Sequence, residues 1–310
     1  MAQYTDTILM VQPVSFYYNE ETAVNNYFQK EPERDEDVIQ KLALQEFNSF
    51  VEKLRNHGVE VIVVKDNHKE NTPDSVFPNN WFSTHEDGAV ILYPMFAENR
   101  RKERRPDLQE ILQNNGFIVD RIVDLSASED SDKFLEGTGS MILDHDNQIL
   151  YAAISPRTDK DLVLQWCEKM DFTPLMFRAV QSVEDQRIPI YHTNVMLTVG
   201  DKYAVVCLET IDDEQQRAQV IESLNKTEKE IIAITEEQMH KFAGNMLQVA
   251  NKQGEKFLVM SQQAYNSLTE EQIENLEKHN NLITVAIPTI EKLGGGSARC
   301  MMAEVFLPVS

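Results

Sequence analysis

Short apolar runs, each broken by a polar turn and followed by a second apolar run, recur along the chain. Residues 80–83 lead through His85, Glu86, Asp87 and Gly88 into the run 89–93. Residues 140–143 lead through 144–147 into 149–153, residues 194–197 through Gly200, Asp201 and Lys202 into 204–208, and residues 245–248 through 251–254 into 257–260. β-Formers on both sides of turn-forming residues are the mark of a β-hairpin. A fifth run, 300–306, has no successor, and the opening run 7–11 can pair beside it. Taking Asn80, Ser140, Asn194, Asn245 and Cys300 as equivalent points gives spacings of 60, 54, 51 and 55 residues. A period of this length, held around the chain, marks a repeat architecture.

Between the hairpins the apolar period changes to that of a helix. The spacing predicts helices over 42–54, 105–114, 160–170, 213–224 and 269–279. Each is followed by a short β-rich run: 59–64, 117–119, 173–177, 231–234 and 282–286. The reading is therefore five β-β-α-β units in a single domain spanning 1–310, with helices outside. The charged stretch 29–37, which contains Pro32, is expected to be a solvated loop.

Composition narrows the class. Lys and Arg number 29 against 51 Asp and Glu, a formal charge of −22. Such a surface repels phosphate backbones and anionic lipid, so neither nucleic acid nor membrane is expected as a partner. Three cysteines in 310 residues argue against a disulfide framework and for a reducing compartment. No apolar stretch reaches membrane-spanning length and the first residues lack a signal pattern, so a cytoplasmic protein is expected. A homo-oligomer is left open.

The side chains with chemical potential gather just before the first strand of each hairpin. These are Asn79 and Asn80, Glu136, His192 and Asn194, Asn245, and Cys300. If the units surround a common axis, a thiol, an imidazole and a carboxylate distant in sequence meet in one channel, as nucleophilic cysteine catalysis requires. Cys207 and Cys167 fall within apolar elements and are read as core. His57, His68, His240 and His279 lie at helix ends or polar turns and are read as surface. No cysteine, histidine or carboxylate set has metal-ligand spacing and no nucleotide-binding glycine pattern occurs, so no cofactor is expected.

Four motifs occur in order: Glu136 to Gly139 (EGTG), Ser155 to Thr158 (SPRT), Tyr191 to Asn194 (YHTN) and Gly294 to Cys300 (GGGSARC). In this order they resemble the guanidino-group-modifying pentein superfamily, which includes arginine deiminase, dimethylarginine dimethylaminohydrolase, succinylarginine dihydrolase and amidinotransferases. Within it the chain is most similar to the arginine-deiminase-related hydrolases proposed to act on citrulline. The resemblance runs from about Pro73 to the C-terminus. It implies a five-bladed α/β propeller with pseudo-fivefold ββαβ repeats around a central channel. It also implies that Cys300 is the nucleophile, that His192 is the acid/base, and that Glu136 orients His192 and bonds the substrate. Arg157 would grip an α-carboxylate, and His192 or Arg299 would supply a cation beside the thiol.

Two positions depart from the pattern. Where arginine-processing relatives carry Asp, this chain has Asn80 and Asn194. Two carboxylates select a cationic guanidinium, whereas an amide both donates and accepts and so suits a neutral ureido group. Asn79, Asn80, Asn194, Arg157 and Arg299 are thus the expected substrate-binding residues. The expected reaction is hydrolysis of citrulline or a close ureido amino acid. The alternatives are a guanidine hydrolase or amidinotransferase, and, in a different class, a non-enzymatic pentein that binds other molecules.

Overall fold

The chain is described by a computed structural model, covering residues 2–67 and 70–310; His68, expected at the surface, lies outside them. The described residues form a mixed α/β fold built from small sheets, five of three strands and one of two. Four of the three-stranded sheets follow one chain order. An antiparallel hairpin comes first, then a helix, then a third strand parallel to the hairpin's second. In the first of these units Phe82–Thr84 pairs with Ala89–Leu92, helix Leu108–Asn114 crosses over, and Arg121–Asp124 completes the sheet. The others are Ile142–Asp144, Ile149–Ala153 and Thr173–Phe177; Leu197–Val199, Tyr203–Val206 and Glu230–Ala233; and Leu247–Ala250, Lys256–Ser261 and Asn281–Val285.

The fifth unit joins the two ends of the chain. Ala303–Glu304 pairs antiparallel with Thr7–Gln12, which pairs in parallel with Glu60–Lys65 across helix Glu36–Asn56. That helix buries Ile39, Ala43, Phe47, Phe50, Val51 and Leu54, a stripe at helical spacing that faces the core. The same apolar cluster holds Ile8, Met10, Ile283 and Cys300. The fold thereby delivers the C-terminal thiol into the interior beside the N-terminal strand.

Two sequence expectations are corrected. The third strand of the first unit is Arg121–Asp124, not 117–119; Phe117 makes only an isolated bridge to Val309. An unforeseen hairpin, Val180–Val183 with Gln186–Pro189, precedes His192. Of the stretch 29–37, residues 30–37 are exposed as expected, but Gln29 is buried and Glu36 and Asp37 open the helix Glu36–Asn56.

Candidate functional site

A tight turn precedes the first strand in each unit: Pro78–Asn80, Gly137–Ser140, Thr193–Val195, the turn ending at Asn245, and Ala298–Met301. Neighbouring turns are stitched together. Asn79 Nδ2 donates to Thr138 Oγ1 at 3.2 Å, Thr193 Oγ1 to Ser140 O at 2.5 Å, Asn245 Nδ2 to Asn194 O at 3.0 Å, and Arg299 N to Asn245 Oδ1 at 3.0 Å. Gly137 is required for this closeness. It has φ 47°, and a Cβ there would lie 2.3 Å from Asn79 O.

The turns bring Cys300, His192, Glu136, Asn79, Asn80, Asn194 and Asn245 into one buried cluster, with Cys300 only 3% exposed. Cys300 Sγ accepts from Asn194 Nδ2 and from Asn245 Nδ2, each at 3.3 Å. Asn245 was placed at a strand mouth by the sequence pattern but given no role. Its repeat position was the signal that could have found it.

Glu136 lies at the centre of the charges. Its Oε1 accepts from Phe96 N at 2.9 Å and its Oε2 from His192 Nε2 at 2.7 Å. Arg157 Nη1 stands 3.5 Å away and Arg100 Nη1 4.0 Å away. Burial alone would raise its pKa, but Arg157, His192 and Arg100 together hold the carboxyl far below the ordinary carboxylate range. Burial pushes His192 down to about 4 against the pull of Glu136. At pH 7 the imidazole is therefore neutral. A carboxylate only accepts, so the proton sits on Nε2 and Nδ1 carries the lone pair.

Gly139 lies between two of these side chains. A Cβ there would stand 2.5 Å from Asn80 Nδ2 and 2.7 Å from His192 Nδ1, so both nitrogens border the same gap. Asn80 Oδ1 accepts from Arg100 Nη1 at 2.8 Å, and Arg100 is held in turn by Glu103 at 2.9 Å. Three buried amide atoms in the cluster have no partner in the structure: Asn79 Oδ1, Asn80 Nδ2 and Asn194 Oδ1.

Arg157 is 1% exposed and donates to Thr22 O at 2.8 Å and to Asn25 Oδ1, with its guanidinium 4.9 Å from the Tyr191 ring centroid. Asn25 and Thr22 lie in residues 19–29, a segment with no motif or period that singles it out. Asn19 and Thr22 also bond Asp74, Asn26 bonds the carbonyls of Gly294 and Gly295, and Gln29 that of Leu293. The glycine-rich approach to Cys300 is thus covered by the N-terminal segment. Arg299 does not join the cluster through its side chain. Its guanidinium donates to Met302 O at 3.0 Å and Glu304 Oε2 at 2.7 Å, so its charge is already matched.

The remaining assignments divide. Cys167 and Cys207 are buried, and burial pushes their thiols up to about 11 and about 12. His240 is exposed, and His57 and His279 are partly so. His85 and His145, which the pattern placed in polar turns, are instead buried, and burial pushes them down to about 4 and about 3. Among the described residues no three or more His, Cys, Asp or Glu side chains are grouped to hold a metal ion, and no helix is long and apolar enough to cross a membrane.

The cluster has the parts for addition to a planar carbon: a sulfur nucleophile, an imidazole able to move a proton, a carboxylate that orients it, and unpaired amide groups for a polar substrate. Solved structures of known proteins share this fold. The N-terminal domain of ArgZ, an arginine dihydrolase from the ornithine-ammonia cycle in cyanobacteria, has been solved as a cysteine-to-serine mutant bound to substrate. It superposes with a TM-score of 0.74 at 20% identity, covering 98% of this chain and 99% of that one. The apo structure of ArgZ matches at 19% identity with the same TM-score, but this chain spans only 41% of that chain's length. DDAH from Pseudomonas aeruginosa, a cysteine-to-serine mutant complexed with citrulline, matches at 16% identity and TM-score 0.67 over 97% of this chain and 99% of its own. Comparison with curated proteins finds no match. The sequence matches the family described as N,N dimethylarginine dimethylhydrolase, eukaryotic, over residues 12–307. With that match spanning nearly the whole chain, the protein belongs to this family, within the guanidino-group-modifying penteins.

Proposed function

We propose that this protein is a cysteine hydrolase that cleaves the ureido C–N bond of an arginine-like amino acid, with citrulline the best-fitting substrate and ornithine, ammonia and carbon dioxide the products. The observation that carries the reading is the orientation of Asn80. Arg100 can only donate, so the Asn80 atom facing it must be Oδ1. That leaves the unpaired Nδ2 as the donor on the substrate side. A ureido carbonyl oxygen accepts from such a donor, whereas a guanidinium has only N–H groups and would leave it unpaired. The unpaired Oδ1 atoms of Asn79 and Asn194 suit the ureido nitrogens.

In this reading the Cys300 thiolate adds to the ureido carbon, forming a C–S bond. His192, having received the thiol proton at Nδ1, returns it to the departing ammonia as the C–N bond breaks. Water then attacks the S-linked carbonyl while His192 takes its proton, and Sγ leaves as thiolate. The released carbamate breaks down to ornithine and carbon dioxide. Glu136 keeps the imidazole oriented, and Arg157, tied to the N-terminal segment, positions Glu136 and borders the amino-acid end of the site. The five units are taken as blades of a propeller about a pseudo-fivefold axis, forming one domain.

A guanidino substrate is the second reading. It is favoured by the family to which the chain belongs and by the arginine chemistry named for ArgZ. The test is to incubate purified protein with citrulline, arginine, dimethylarginine and succinylarginine and to quantify ammonia and ornithine. The proposal expects both products from citrulline. Ammonia from arginine with none from citrulline would overturn it.

A further inference from the structure

The donors seen on the nucleophile are two neutral amides, and the guanidinium groups of the site already stand against acidic side chains. Arg100 is paired with Glu103, Arg157 with Glu136 and Arg299 with Glu304. His192, pushed down to about 4, adds no standing positive charge at pH 7. A thiol with no cation beside it is ordinarily a poor nucleophile, so its ionised form has to be favoured in some other way.

Asn245 has the geometry to do this. Arg299 N–H donates to Asn245 Oδ1 at 3.0 Å, and a backbone N–H has no acceptor capacity. The amide therefore cannot be turned over, and Nδ2 must face the other way. Its two hydrogens have two acceptors: Asn194 O at 3.0 Å and Cys300 Sγ at 3.3 Å. Asn194 Nδ2 adds a second donor on the same sulfur at 3.3 Å. All three residues are buried, so water does not compete for these bonds, and donors on the charged form of a group favour ionisation.

We infer that Asn245, together with Asn194, forms a two-amide cradle that holds Cys300 Sγ as the thiolate, making Asn245 a further catalytic residue of this site. In the free protein the thiol proton leaves to solvent and the negative charge remains on Sγ against the two N–H donors; His192 Nδ1 receives the proton only in turnover. Asn245 also sets the position of the nucleophile, because one amide joins Arg299 N, Asn194 O and Sγ.

The inference rests on the assignment of Cys300 as the nucleophile, but its test requires no substrate. Cys300 labelling by methyl methanethiosulfonate is followed against pH in the full chain, with peptide mass spectrometry to separate it from Cys167 and Cys207. Wild type is compared with Asn245→Asp, which keeps the acceptor for Arg299 N and loses the donor, and with Asn245→Ser. His192→Gln, which retains a donor for Glu136, forms the control arm. The expected result is a labelling midpoint about one pH unit higher in the Asn245 variants, equivalent to about tenfold less labelling near neutral pH, and an unmoved midpoint in His192→Gln. Circular dichroism identifies the variants that fold. An unmoved midpoint in a folded Asn245 variant would overturn the inference. So would an upward shift of about one unit in His192→Gln, even if neither Asn245 variant folds, because the imidazole would then be the source of ionisation. A protein showing the expected shift but turning over no ureido or guanidino substrate would sink the proposed function and leave the cradle standing.

Discussion

Asn80 is read as a donor because of a neighbour that sequence alone does not supply. The substitution of Asn for Asp was legible, and so was its consequence for charge, but the direction of the amide depends on Arg100 lying 2.8 Å from Oδ1. An Asp at this position would offer one oxygen to Arg100 and turn the other toward the substrate, where a guanidinium is favoured over a ureido carbonyl. Asn80→Asp is therefore expected to lower kcat/KM for citrulline by about 100-fold, corresponding to about 3 kcal/mol. Turnover of arginine relative to citrulline should rise, as measured by ammonia release from each at matched concentrations. Arg299 illustrates the opposite outcome. Its position beside Cys300 in sequence suggested a cation for the thiol. A guanidinium at the end of a long, flexible stem can, however, turn to any nearby acceptor, and Glu304 takes it.

The repeated unit was the most legible element. Period-2 runs around polar turns marked four hairpins, and helical spacing marked the crossover helices, although the first begins at Glu36 rather than at 42. The strand placed at 117–119 failed for a physical reason. Apolar residues report burial, and Val119 is indeed buried, but ladder pairing falls on the polar edge strand Arg121–Asp124. The covering segment 19–29 was missed because its buried contacts run through Asn, Thr and Gln side chains that carry no periodic signal. The turn Gly137–Ser140 gives a sharper test of how the elements fit. Gly139→Ala would push a methyl into the gap between Asn80 Nδ2 and His192 Nδ1. Overpacking of this kind costs about 1–3 kcal/mol, so thermal unfolding should shift modestly. Turnover should fall much further, by at least about tenfold, since displacement by an ångström at a reacting centre is costly. A variant with unchanged activity would mean that these two nitrogens do not work from the positions seen.

Across the whole molecule, the two ends of the chain meet in one sheet, so the fifth unit exists only when residues near 8 and near 304 have come together. The unmatched fifth run and the opening apolar run foretold this pairing. The burial of His85 and His145 was not foretold, because each lies in a stretch whose neighbours are polar turn-formers. Their burial links stability to pH. Both are pushed below the usual histidine value, so the unfolded chain takes up protons first as pH falls below about 6.5. Stability is unaffected by them above that value and is lost progressively toward about pH 4 and about pH 3. For His145 the loss is on the order of 5 kcal/mol at its fullest. His145→Gln should therefore show a smaller fall in melting temperature between pH 7 and pH 4 than wild type, and an equal fall would contradict the assignment.

The repeated sheets, the buried carboxylate and the orienting amides all bear on the proposal that Cys300 forms a bond to the ureido carbon of its substrate. Peptide mass spectrometry after acid quenching and proteolysis of a citrulline reaction tests it most directly. The expected result is a transient mass increase on the peptide that contains Cys300, absent from Cys300→Ser and lengthened in lifetime by His192→Gln. Sustained ornithine production with no adduct in wild type, or undiminished production by Cys300→Ser, would contradict it.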